Sequence, residues 1–176
     1  MNKRQKIYEI TSIVLMLDLF IKLIVTHNMK LNTSIDIIPN FFSIYYVQNT
    51  GAAFSILENN TLFLIIISVV FIVILDRYIK KENNFTKLSI ISLGMIMGGI
   101  FGNLIDRIIY HSVIDYLSFT MLKYNFPIFN LADIGITVGV ALYILSLILE
   151  RKTQNQHENN IQGINKRSKY RKRNNR

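Results

Sequence analysis

The sequence predicts a membrane protein of the α-helical class, with four transmembrane helices and a small β-sheet on the extracytoplasmic side. Three observations predict it. Hydrophobic residues make up 51% of the 176-residue chain and charged residues only 18%, a balance richer in apolar side chains than an ordinary soluble domain carries. The apolar residues gather into four runs that are apolar on every face, leaving no polar stripe for water. Lysine and arginine alternate between crowded and sparse connections, as they do in chains threaded through a bilayer.

The four spans fall at residues 7–26, 61–79, 88–107 and 131–149, each close to the length that a hydrocarbon layer demands of a helix. The first follows Met-Asn-Lys-Arg-Gln-Lys, a start that resembles a secretory leader. Glu9, Asp18 and Lys22 interrupt the run and no small-x-small cleavage site follows it, so a retained first helix is expected. Bases flank the cytoplasmic side: Lys3, Arg4 and Lys6 at the start, and Arg77, Lys80, Lys81 and Lys87 between spans two and three. The other connections carry only Lys30, and then Arg107 and Lys123. Both termini are therefore expected in the cytoplasm, with residues 27–60 and 106–132 outside.

Residues 1–150 form the four-helix membrane domain on this partition, and residues 151–176 a basic cytoplasmic tail. Nine Lys/Arg against one acid give that tail +8 of the net +9. Its Asn and Gln runs lack apolar periodicity, which predicts a chain without regular structure, held to anionic lipid rather than to nucleic acid, since no aromatic platform accompanies the bases.

The absence of cysteine removes disulfides, thiolate nucleophiles and sulfur-bound metals, and His27, His111 and His157 are scattered. No metal site and no organic cofactor are expected. Ser112 beside His111 does not make a base and nucleophile by adjacency. His111 and Asp115, four apart, lack a third ligand.

The connection 27–60 is longer than a simple helix link. Its centre, Phe41-Phe42-Ser43-Ile44-Tyr45-Tyr46-Val47, is aromatic and β-branched, which predicts strand at the outer surface. Gln48-Asn49-Thr50-Gly51-Ala52-Ala53-Phe54-Ser55 follows. Three small residues beside an amide suit either a tight turn into the second helix or a surface that another backbone can approach.

Gly94, Gly98 and Gly102 recur every four residues in the third span, a stripe for close helix contact. Asn103, Asp106 and Arg107 follow on one helical face. Asp18 and Lys22 stand four apart in the first span, where an ion pair is the cheapest way to keep both in a membrane. Asp115, in Val113-Ile114-Asp115-Tyr116-Leu117, and Asp133, in Phe129-Asn130-Leu131-Ala132-Asp133, belong to the same membrane face by topology. If they meet, one carboxyl keeps a proton and the pair can act as base toward water and acid toward an amide. Spacing alone equally allows helix capping or ion pairing. Intramembrane acids would also suit a proton or cation relay.

Taken in order, these motifs resemble the lipoprotein signal peptidases (signal peptidase II), a family of bacterial membrane aspartic proteases. The resemblance rests on Asp18 with Lys22, Asn49 to Ser55, Gly98-Gly99 with Gly102 to Arg107, Val113 to Tyr116, and Phe126 to Asp133. It implies an extracytoplasmic β-cradle, a multi-pass place in the bacterial cell membrane, and removal of a signal peptide just before the lipidated cysteine of a diacylglyceryl-modified prolipoprotein. That prolipoprotein and membrane lipids are the partners implied. By motif position Asp115 and Asp133 are the implied catalytic pair, with Asn49, Gly51, Asn103, Arg107, Asn130, Asp18 and Lys22 as substrate-binding or supporting residues, and Asp106 as a structural acid. The chain departs from the pattern at Leu19, where Gln is usual, at Tyr116, a common Phe position, at His111-Ser112, where Gly is frequent, and in its long basic tail.

Overall fold

The computed structural model describes residues 2–51, 60–121 and 124–174, with the backbone alone for 157–174. Ala52 to Ser55 of the small-residue segment, and Lys123, lie outside the described residues. Four helices, α1 (Lys3–Asn28), α2 (Thr61–Lys81), α3 (Lys87–Tyr110) and α4 (Leu131–Asn174), contain the four predicted spans. All four are long and apolar enough to cross a membrane.

Helices α1 and α3 start where a side chain accepts from the free N–H groups of the first turn. Asn2 caps α1 in a capping box with Gln5, and Thr86 accepts from Ser89 N at the start of α3. Helix α4 keeps helical backbone through the basic segment to Asn174, a difference from the irregular chain that its composition predicts. Lys, Arg, Gln and Glu are good helix formers, and extending a helix that already exists requires no new nucleus.

The bundle is organised around α3, which packs against α1, α2 and α4. Of its most apolar stretch, 67% is buried, against 22% in α1 and 11% in α2. The glycine stripe explains this position. A Cβ on Gly94 or Gly98 would strike Ile10, or the Thr11 carbonyl and Val14, all of α1; one on Gly99 would strike the Ala132 carbonyl of α4. The stripe therefore serves two neighbours, and Gly135 and Gly139 of α4 answer it from the other side against Met95, Ser92 and Ile96.

A four-stranded antiparallel sheet in the order β1 (Ser34–Ile38), β2 (Phe42–Asn49), β3 (Val113–Met121), β4 (Tyr124–Asn125) stands at one end of the bundle. Strand β2 is the one predicted from aromatic and β-branched residues. Strand β3 pairs with it, from Phe42 opposite Phe119 to Asn49 opposite Val113. Ile114 and Tyr116 of β3 pack with Tyr46 and with Val25 of α1, so period-2 alternation turns Asp115 to the opposite face.

Candidate active site

The register of β2 against β3 shifts once. Ile44 pairs with Leu117, but Val47 pairs with Asp115, so β2 has one extra residue between them. Such a bulge exchanges which side chains share a face. After it, Val47 and Asn49 stand on the same side as Asp115, and Asn49 Nδ2 donates to Asp115 Oδ2 at 3.0 Å. Asn49 Oδ1 accepts the Gly51 N–H at 2.9 Å, which fixes the amide.

Asp133 is carried by the first turn of α4. Asn130 and Asp133 form a reciprocal cap: Asp133 N donates to Asn130 Oδ1 at 2.9 Å, and Asn130 N donates to Asp133 Oδ2 at 3.2 Å. The same Asn130 side chain, fully buried, donates through Nδ2 to Asp115 Oδ1 at 2.7 Å. One asparagine thus ties the helix start that bears Asp133 to the carboxyl group of Asp115. Asn103 of α3 completes the hold, donating from Nδ2 to Asp133 Oδ1 at 2.8 Å and accepting from Asn130 Nδ2 at 3.0 Å. Capping and convergence of the carboxylates, alternatives in the sequence, coexist here.

Beneath lies a charged layer. Lys22 Nζ is 2.7 Å from both Asp18 Oδ2 and Asp106 Oδ2, and donates to Asn103 Oδ1 at 3.2 Å. Lys22 thus pairs with two carboxylates and bonds Asn103, which is oriented with its Nδ2 toward Asp133. Asp106 also accepts the Ile114 N–H at 3.1 Å, anchoring the strand beside Asp115, and it does not face the cavity. Asp18 Oδ1 accepts from Ala132 N, and Tyr116 Oη from Leu131 N. With Asn130 on Asp133 N, each of the first three N–H groups of α4 has a side-chain acceptor.

Asp115 and Asp133 line one cavity of about 760 Å³ together with Asn49, Asn103 and Arg107. Its floor runs down the bundle past Ser68 of α2, Ile100 of α3 and Thr137 of α4. Arg107 Nη2 donates to the Gly51 carbonyl at 3.2 Å, holding the end of β2 over the site. Burial first, and then the charge of Asp133, push the Asp115 carboxyl up to about 7, as expected where an anion is costly to form. Burial likewise raises the Tyr116 hydroxyl.

Every site residue named from the sequence is thus accounted for: Asp115, Asp133, Asn49, Asn103 and Arg107 at the cavity, Asn130 between the two acids, Gly51 at the rim, and Asp18 and Lys22 in the layer below. The sequence did not yield Tyr116 as a helix cap, Lys22 as the partner of Asp106, or Ser68 and Thr137 in the cavity wall. The spacing of Gly135 and Gly139, matching that of the glycines in α3, was the signal available for the α3–α4 contact.

Residues 10–149 match the family described as Signal peptidase (SPase) II. Two solved structures, each titled a bacterial membrane enzyme structure by the in meso method, share the fold. The one at 2.3 Å resolution superposes with a TM-score of 0.76 at 31% identity, covering 82% of this chain and 88% of that one. The one at 1.9 Å resolution gives 0.71 at 33% identity, covering 78% and 89%. A match across the span from α1 to the apolar part of α4, with every motif of the cavity inside it, establishes that the chain belongs to the signal peptidase II family, membrane proteases that cleave the signal peptides of lipoproteins.

Proposed function

We propose that the chain is an aspartic endopeptidase of the bacterial cell membrane, with Asp115 and Asp133 as its catalytic pair. Its substrate is a diacylglyceryl-modified prolipoprotein, cut just before the lipidated cysteine. The observation that carries this is the meeting of Asp115 and Asp133 in one cavity, joined through Asn130. In its favour too is the raised pKa of Asp115, which suits it to keep the shared proton. Asp133 stands in the first turn of α4, where the positive end of the helix favours a negative charge.

In this mechanism Asp133 takes a proton from a water molecule held between the two carboxyl groups, and the water oxygen adds to the scissile carbonyl carbon. Asp115 donates its proton toward the carbonyl oxygen, giving a tetrahedral diol. A proton then passes to the amide nitrogen, the C–N bond breaks, and the amine leaves as the carboxyl product forms. Asn49, Asn103 and Asn130 hold the acids in place, so little reorganisation is needed as charge develops. The cavity floor between α2 and α4 suits lateral entry from the bilayer. Substrate and enzyme tethered in one membrane gain proximity, and a sheet beside the cavity suits an extended peptide. With both termini cytoplasmic, as the distribution of Lys and Arg predicts, the cavity opens at the outer face.

The test is cleavage of a lipidated peptide by purified wild type, Asp115→Asn and Asp133→Asn. Both variants should insert and fold, and neither should turn over. Retained cleavage in either one overturns the assignment.

A further inference from the structure

Two cations stand within the site, and they are held differently. Lys22 lies between two carboxylates, those of Asp18 and Asp106. Arg107, half-buried and one helical turn beyond Asn103, bonds only neutral oxygens: Nη1 donates to the Asn103 carbonyl at 3.3 Å and Nη2 to the Gly51 carbonyl at 3.2 Å. No carboxylate among the described residues forms an ion pair with it. A guanidinium carries five N–H groups in a planar fork. Two carbonyls therefore leave three of them without a protein acceptor among the described residues. Among the described residues that line the cavity Arg107 is also the one cation, and it shares that wall with Asp115 and Asp133.

We infer that Arg107 is the seat of the carboxylate that cleavage creates, its open N–H groups receiving the new C-terminus of the released signal peptide. The ligand is named on the strength of the cleavage proposed above, whereas the anion site itself follows from the contacts of the guanidinium. Hydrolysis converts a neutral amide and one water into a carboxylate and an ammonium ion. The ammonium belongs to the lipidated fragment. The carboxylate is formed in the cavity beside Asp133, whose like charge disfavours it. A planar fork matches two carboxylate oxygens in a way that a single carbonyl oxygen does not, so Arg107 favours the product over the substrate. Lys22 cannot take this part, because Asp18, Asp106 and Asn103 already engage its ammonium group. A lipid phosphate is the other source of paired anionic oxygens in a membrane. It would have to enter the cavity, whereas the peptide carboxylate arises there.

The test is equilibrium binding of a Leu- and Ala-rich peptide with a free C-terminal carboxylate, and of the same peptide ending in a carboxamide, to the full chain in phosphatidylcholine nanodiscs at neutral pH. Neither peptide carries a lipidated cysteine, so neither is a substrate. Wild type should bind the carboxylate form about tenfold more tightly, the equivalent of one charge-assisted hydrogen bond. The preference should survive in Asp115→Asn and fall below about twofold in Arg107→Gln. Equal binding of the two peptides by wild type, or an undiminished preference in Arg107→Gln, overturns the inference and leaves the assignment of the dyad as it is. Retained cleavage by Asp115→Asn does the reverse, since the peptide preference does not depend on turnover. Loss of the wild-type preference when phosphatidylglycerol replaces part of the phosphatidylcholine gives the seat to a lipid phosphate and overturns the inference as well. Should Arg107→Gln fail to insert, Arg107→Met, which keeps an apolar stem of similar length, is judged by the same limits.

Discussion

Asp18 Oδ1 accepts the backbone N–H of Ala132 at 3.0 Å, across 114 residues of sequence. A carboxylate in the first helix therefore caps the fourth, one residue before Asp133. Its other oxygen faces Lys22, which in turn faces Asp106 and Asn103. The ion pair between Asp18 and Lys22 is thus less a device for burying two charges than a means of fixing where α4 begins.

Asp18→Ala removes both the cap and the ion pair, and leaves Lys22 with one carboxylate in a buried site. Breaking a buried pair from one side destabilises by about 3–5 kcal/mol, so the thermal midpoint in detergent should fall by many degrees and cleavage should fall with it. Asp18→Asn keeps an oxygen for the Ala132 N–H and should retain more activity than Asp18→Ala at equal protein inserted. Equal loss in the two variants would show that the cap contributes nothing.

The sequence was legible where the physics is local. Four spans follow from apolar length, the Asp18 and Lys22 pair from i, i+4 spacing, and strand β2 from its aromatic and β-branched run. Around Asp115 the sequence shows only an apolar stretch, because the pairing partner of β3 lies some 70 residues earlier and the bulge at β2 leaves no local mark. Lys22 with Asp106, and Asp18 with Ala132, are likewise contacts between distant segments that no spacing rule reaches. Convergence of Asp115 and Asp133 on one side followed from span counting, but Asn130 as the joint between them requires the fold.

Gly99 and Gly135 separate tight from merely close packing between α3 and α4. A Cβ on Gly99 would run into the Ala132 carbonyl and stand 2.8 Å from Ile136 Cγ1, whereas one on Gly135 would find its nearest neighbour, the Met95 carbonyl, at 3.2 Å. Gly99→Ala should destabilise by about 1–3 kcal/mol, the usual effect of overpacking, and should lower kcat because it pushes the turn that carries Asp133. Gly135→Ala should be milder on both counts. Paired melting curves and cleavage rates decide it, and an inverted order would refute the packing account.

Tyr116 stands where Phe is common in the resembled motif, and its hydroxyl oxygen accepts from Leu131 N at 3.2 Å. Tyr116→Phe keeps the buried ring and leaves that N–H without its acceptor, a loss of about 1–3 kcal/mol. The expected result is a lower thermal midpoint, with kcat reduced by up to about tenfold and KM unchanged. A change confined to KM would place Tyr116 on the substrate instead of on the helix start.

The pH dependence of Asp115 has a definite sign. Burial, and then the neighbouring charge of Asp133, raise its pKa from 3.8 to about 7, against the opposing hydrogen bonds from Asn49 and Asn130. The folded state therefore binds this proton more tightly than the unfolded chain. The stability it contributes is fully present below about pH 4, is lost as pH rises toward about 7, and changes little above that. Asp115→Asn cannot ionise, so its thermal midpoint relative to wild type should climb across the same window, with about 4 kcal/mol as the upper limit for the gain. Cleavage by wild type should fall about tenfold per pH unit above neutrality as the jointly held proton leaves. A midpoint difference that stays flat from pH 4 to 8, with activity still rising beyond pH 8, would mean that Asp115 is ionised throughout and that the shared proton resides elsewhere.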